Sequence, residues 1–215
     1  MCVTLDCGFK PSRIVGGSEV TPFSLPWQVA LVDPGDDFPF CGGTLISATH
    51  VLTAAHCTGG NGGNWEVIVG EHDITSTSDG TRHTKCSHVN HPQYDDTDTG
   101  TEEFNFDFAI VKLNTPVEIG PHAAPACLPT PKLEGDFLSG KTMTVSGWGA
   151  LSQGGEGPFV LHKVEVPGLT NEVCQEKYEC PNDGGLCGEL IPAMLCAGNV
   201  VDGGIDSCQG DSGGT

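Results

Sequence analysis

No stretch of the 215-residue chain approaches the ~18 apolar residues that a membrane-spanning helix needs. Basic residues are few: nine lysines and arginines stand against 28 aspartates and glutamates, a formal charge of −19. That deficit argues against nucleic acid or an anionic membrane as a partner, since both require cationic surface. The cysteines never fall into CxxC pairs, which argues against a zinc ribbon. There is no internal repeat and no low-complexity tract. Met1-Cys2-Val3-Thr4-Leu5-Asp6 lacks the basic start and apolar run of a signal peptide.

What is abundant points elsewhere. With 31 glycines and 15 prolines, the composition favours short strands joined by tight turns over long helices. Eleven cysteines argue for an oxidising, secreted setting, and their odd number leaves at least one without a partner inside the chain. Apolar stretches with β character run over Trp27 to Val32, Gly43 to Ile46, Trp65 to Val69, Phe108 to Leu113, Thr142 to Val145 and Val160 to Val166, each bounded by turn formers. Short helices are expected over Ala54 to Cys57 and over Asn171 to Tyr178, the second with Thr170 as its N-cap. Asp95 to Glu103 is polar and acidic and is expected to be an exposed loop. The fold class is therefore all-β.

Three segments carry chemistry: Thr53-Ala54-Ala55-His56-Cys57, Asp107-Phe108-Ala109-Ile110 and Gly210-Asp211-Ser212-Gly213-Gly214. Singly, each has an ordinary reading as a structural histidine, a turn aspartate and a glycine-rich loop. Together they fit one mechanism. A serine hydroxyl needs a neighbouring base, an imidazole serves as that base near neutral pH, and a buried carboxylate fixes its tautomer. Glycines beside a serine let backbone N–H groups face a developing oxyanion. The chain order His, Asp, Ser is that of one protease class and not of subtilisins or α/β-hydrolases, which disfavours an esterase or lipase.

The sequence resembles the chymotrypsin family and, within it, the trypsin type. Ile14-Val15-Gly16-Gly17 after Arg13, Pro26-Trp27-Gln28-Val29, Cys41-Gly42-Gly43-Thr44-Leu45-Ile46, Pro125-Ala126-Cys127-Leu128-Pro129 and Gly147-Trp148-Gly149 stand in family order. The resemblance implies two six-stranded Greek-key β-barrels, the first over about 14–117 and the second over about 118–215, behind a leader of residues 1–13. It implies His56, Asp107 and Ser212 as catalytic residues, with the N–H groups of Gly210 and Ser212 as the oxyanion hole. It further implies Asp206 as the residue selecting Arg or Lys, and cleavage after Arg13 that frees Ile14 to pair with Asp211.

The same resemblance implies the disulfides Cys41–Cys57, Cys174–Cys196 and Cys7–Cys127. Cys180 and Cys187 are close enough in sequence to pair locally, and Cys2 and Cys86 have no assigned partner. The family continues past the serine motif for two strands and a helix, so Cys208 would bond beyond Thr215. The expectation is a fragment with an incomplete second barrel and weak or no activity by itself. Gly70-Glu71-His72-Asp73, with Asp79, resembles the start of a calcium loop, but Arg82 stands where a carboxylate is expected, so the expectation is no metal and no cofactor. The implied partners are protein or peptide substrates with Arg or Lys before the cleaved bond, and protein protease inhibitors, acting on a monomer. The competing reading is a non-catalytic homologue that binds a partner through the same scaffold.

Overall fold

The computed structural model describes residues 17–59, 63–95, 105–129, 140–151, 155–178, 195–199 and 210–214. Its elements in chain order are β1 (Ser18–Glu19), β2 (Gln28–Val32), β3 (Pro39–Ser47), β4 (His50–Thr53), β5 (Glu66–Val69), β6 (Thr81–His83), β7 (Ser87–Asn90), β8 (Ala109–Lys112), β9 (Thr142–Gly147), β10 (His162–Leu169), α1 (Asn171–Tyr178) and β11 (Cys196–Ala197). All strand pairings are antiparallel. Seven strands form one sheet in the order β6-β5-β2-β3-β4-β8-β7. A second sheet has β10 at its centre, paired with β1, β9 and β11. Two antiparallel β-sheets agree with the general two-β-barrel architecture expected from the sequence. Among the described residues they form a curled sheet and a smaller open one rather than two closed six-stranded barrels.

Strand β2 explains how the two sheets come together. All five of its residues are buried, unlike a strand with one wet face. Val29 and Leu31 point into a core with Leu45, Val51, Val67, Val69 and Val111, inside the curl of the large sheet. Ala30 and Val32 point the other way, together with Ile68 of β5, into a second core with Val20, Trp148 and Leu161 beside the strands of the neighbouring sheet. Each buried valine or leucine contributes roughly 1.5–3 kcal/mol, so β2 ties both cores with one short segment. By contrast β10 alternates, with Val164 and Val166 buried and Glu165 exposed between them.

Buried polar contacts run between the sheets, among them Ser146 Oγ on β9 donating to Gln28 Oε1 on β2 at 2.7 Å. Helix α1 starts as the sequence predicts, since Val173 N–H donates to the Thr170 hydroxyl at 3.2 Å. The expected helix over Ala54 to Cys57 is instead a turn. Thr58 N–H closes it on the Ala55 carbonyl at 2.9 Å, and the Thr58 hydroxyl donates to that same carbonyl at 2.7 Å. No helix among the described residues is long and apolar enough to cross a membrane.

Candidate active site

The turn after β4 presents His56, and the segment entering β8 presents Asp107. Pairing of β4 with β8 sets Thr53 opposite Ala109, which brings the two segments side by side although they lie 51 residues apart. Asp107 accepts two hydrogen bonds from one residue: His56 N–H at 2.8 Å to Oδ1, and the His56 ring Nδ1 at 2.7 Å to Oδ2. Its side chain is buried, whereas the imidazole is 35% exposed. Burial pushes the Asp107 carboxyl up. The bonds from the His56 ring, the His56 N–H and the Ala55 N–H outweigh that and hold it below the usual carboxylate range. An ionised Asp107 therefore keeps the proton on Nδ1 and leaves Nε2 as the ring's free acceptor.

Ser212 reaches the same place from the far end of the chain. Gly42 N–H on β3 donates to the Ser212 carbonyl at 2.8 Å, and that carbonyl lies 3.6 Å from Cys57 Sγ, next in sequence to His56. Its loop is wedged tightly. Gly213 adopts φ 73°, and a methyl group there would overlap the Thr53 hydroxyl, which itself donates to the Gly42 carbonyl at 2.8 Å. A Cβ on Gly42 would stand 2.8 Å from the Gly214 Cα, so both positions exclude any larger residue. Gly214 N–H folds back onto the Asp211 carbonyl at 2.9 Å, and Gly210 has φ 96°. The Ser212 hydroxyl makes no hydrogen bond to the His56 ring, a bond that in resting sites of this kind often tightens only with substrate.

Asp211 is buried, and its Oδ1 accepts the N–H of Gly149 at 2.9 Å. A side chain at Gly147 or Gly149 would collide with that carboxylate, which accounts for both glycines flanking Trp148. The residues implied for activation and specificity, Arg13, Ile14 and Asp206, lie outside the described residues, as do Cys2, Cys7, Cys180, Cys187 and Cys208. Of the expected disulfides, Cys41–Cys57 and Cys174–Cys196 are formed. Among the described residues Cys86 and Cys127 are unpaired; Cys86 is half-buried and burial pushes its thiol pKa up.

Cys41, His56 and Cys57 bring three metal-ligand atoms within 4.8 Å of one another. The two sulfurs are bonded to each other and the imidazole Nδ1 is held by Asp107, so no thiolate is available to a metal. In the segment that resembles a calcium loop, Arg82 turns to Glu66 at 2.7 Å, Asp37 at 2.5 Å and the Asp36 carbonyl at 2.9 Å.

Sequence reasoning missed the residues that brace this site. The Thr58 hydroxyl and the Asn90 side-chain amide are in hydrogen-bond contact at 2.8 Å, which ties the His56 turn to the end of β7. His91 stacks on Phe106 beside Asp107, with ring centroids 4.7 Å apart. Neither contact carries a local signal, since Thr58 and Asn90 lie 32 residues apart and His91 and Phe106 also come from separate segments.

A two-sheet antiparallel scaffold with a histidine–carboxylate pair, and a glycine-bounded serine loop packed beside the turn that carries the histidine, is the arrangement of a chymotrypsin-like serine protease. The family model described as Trypsin matches residues 14–215, and the chain belongs to that family. It is 37% identical over 221 residues to serine protease filzig of Drosophila melanogaster, covering 97% of this chain and 12% of that protein. It is 34% identical to the clotting factor G beta subunit of Tachypleus tridentatus, covering 97% of this chain and 67% of that one. To ovochymase-2 of Mus musculus it is 38% identical, over 95% of this chain and 32% of the relative. The chain thus spans as little as an eighth of the relatives it matches. Among solved structures, neuropsin, a serine protease expressed in the limbic system of mouse brain, superposes with a TM-score of 0.77 at 30% identity, covering 93% of this chain and 80% of that one.

Proposed function

We propose that residues 14–215 form the peptidase unit of a secreted, trypsin-like endopeptidase that cuts peptide bonds after Arg or Lys, and that residues 1–13 are its activation leader. The observation that carries the reading is the two-bond grip of Asp107 on His56, next to the Ser212 loop. In this mechanism Ser212 Oγ attacks the scissile carbonyl carbon while its proton passes to His56 Nε2. His56 then returns that proton to the leaving amine, and water repeats the cycle to release the acid. Asp107 stays ionised throughout, which its depressed pKa supports. The N–H groups of Gly210 and Ser212 stabilise the oxyanion, each such donor being worth ~3 kcal/mol.

Zymogen activation follows the same logic. Cleavage after Arg13 frees the Ile14 amine to pair with Asp211. A buried carboxylate favours a cationic partner strongly enough to serve as a switch. Asp206, as a desolvated carboxylate at the pocket floor, selects basic side chains by charge. Protein inhibitors with an exposed Arg or Lys are the expected protein partners.

The test compares arginine and phenylalanine p-nitroanilides on the full-length protein after cleavage at Arg13. Arginine turnover is expected, lost roughly a million-fold in Ser212→Ala, the scale seen when a triad serine is removed. Asp206→Ser is expected to abolish the basic preference. A processed protein that cuts neither substrate and fails to react with a serine-directed probe would hand the case to the non-catalytic binding reading.

A further inference from the structure

Asp107 sits at the centre of a sharp three-residue turn closed by Phe108 N–H donating to the Phe106 carbonyl at 2.7 Å. Phe106 enters that turn with φ 56°. A left-handed backbone is tolerated by glycine and asparagine, but for a bulky side chain it is strained and persists only where the surroundings hold it.

His91 supplies that hold. Its ring lies flat on Phe106, centroids 4.7 Å apart at 8°, and meets Phe108 at 4.7 Å and 59°. The ring is itself fixed, because its Nδ1 accepts the N–H of Gln93 at 3.2 Å. Its own backbone N–H donates to the Phe108 carbonyl at 2.9 Å, continuing the β7–β8 pairing one residue beyond Asn90 and Ala109. One residue earlier, Asn90 holds the other half of the pair through Thr58, which follows His56 by two residues. A single strand end thus grips the turn of the base and the turn of the carboxylate.

We infer that His91 is a positioning residue for the His56–Asp107 pair, acting through the aromatic stack that pins Phe106 in its left-handed turn. The inference rests on the proteolytic reading for its kinetic readout but not for its spectroscopic one. The stack adds a favourable contact beyond simple burial, which offsets part of the backbone cost. Without the stack, Phe106 relaxes towards negative φ, and the carboxylate rotates away from the imidazole.

Four full-length proteins test it, each cleaved after Arg13: wild type, His91→Ala, His91→Phe and the double variant His91→Ala/Phe106→Asn. His91→Ala is expected to lower kcat on the arginine substrate about 10- to 100-fold with little change in KM, the scale of a small misplacement of catalytic groups. It is also expected to weaken the downfield proton resonance of the His56–Asp107 hydrogen bond. His91→Phe, which keeps the stack, is expected to stay close to wild type. Phe106→Asn, comfortable at positive φ, is expected to restore the double variant. Wild-type kcat and resonance in His91→Ala would overturn the inference, and so would a loss in His91→Phe as large as in His91→Ala. Should the wild type itself lack activity, the proteolytic reading fails while the resonance still decides the role of His91.

Discussion

Glu71 follows Gly70 at the end of β5 and is 8% exposed. Burial is the largest influence on its carboxyl. The hydrogen bond from His72 N–H opposes it, while Asp79, Asp73 and Asp37 add like charge, and the net result is a pKa raised to about 7 from 4.5. Between those values the folded chain holds a proton that the unfolded chain has released. The sign follows: the contribution of Glu71 to stability falls as pH rises from about 4.5 to about 7, and is flat above. Glu71→Gln cannot ionise, so it is expected to exceed wild type by about 3 kcal/mol at pH 8 and by almost nothing at pH 4.5. Thermal unfolding at the two pH values checks this, and an equal gain at both would show that Glu71 carries no such proton.

At the scale of elements, α1 is short and leans on its cap. Thr170→Ala removes the acceptor for Val173 N–H and is expected to cost about 1 kcal/mol, a fall in Tm of about 2–4 °C for a chain of this size. Thr170→Ser should keep most of it, and calorimetry on the three proteins separates cap from side-chain bulk. Thr170 was legible because a cap is a local event. The apolar runs of β2, β5, β8, β9 and β10 were legible for the same reason. Strand β3 runs from Pro39 to Ser47, well beyond the stretch read from residues 43–46, because glycine there is not a boundary: a Cβ on Gly43 would stand 2.8 Å from the Val51 side chain, so crowding between strands demands it. Strands β4, β6 and β7 escaped notice since they are short and mixed in polarity. Their neighbours in the sheet make them strands, and a single-sequence period does not carry that information.

At the scale of the molecule, the Gln28–Ser146 bond stands where the two sheets meet behind the serine loop. A Cβ on Gly214 would lie 2.9 Å from the Ser146 carbonyl, so the same backbone backs that loop. Ser146→Ala leaves the buried Gln28 oxygen without its donor and is expected to cost about 1–3 kcal/mol. Gln28→Leu/Ser146→Ala, which removes both polar ends, is expected to cost less than the two single changes added. Urea unfolding of the set measures the difference, and simple additivity would dissolve the pair as an energetic unit. The site shows the same division between local and distant. The segments around His56, Asp107 and Ser212 stood out in the sequence because each carries a signature in its immediate neighbours. The Gly42 N–H that holds the Ser212 carbonyl, and the ring of His91, act across strands with no such neighbours to announce them.

His56 and Asp107 both hang on the large sheet, whose last strand ends at Lys112, whereas Ser212 comes about a hundred residues later. A ribosome adding ~5–20 residues per second therefore exposes His56 and Asp107 for roughly 5–20 s before Ser212 has been made. During that interval the sheet can close around its core, and on the proposed mechanism the nascent chain lacks the nucleophile it could turn on itself or on its chaperones. On that mechanism, Ser212 arrives as the last part of an apparatus already standing.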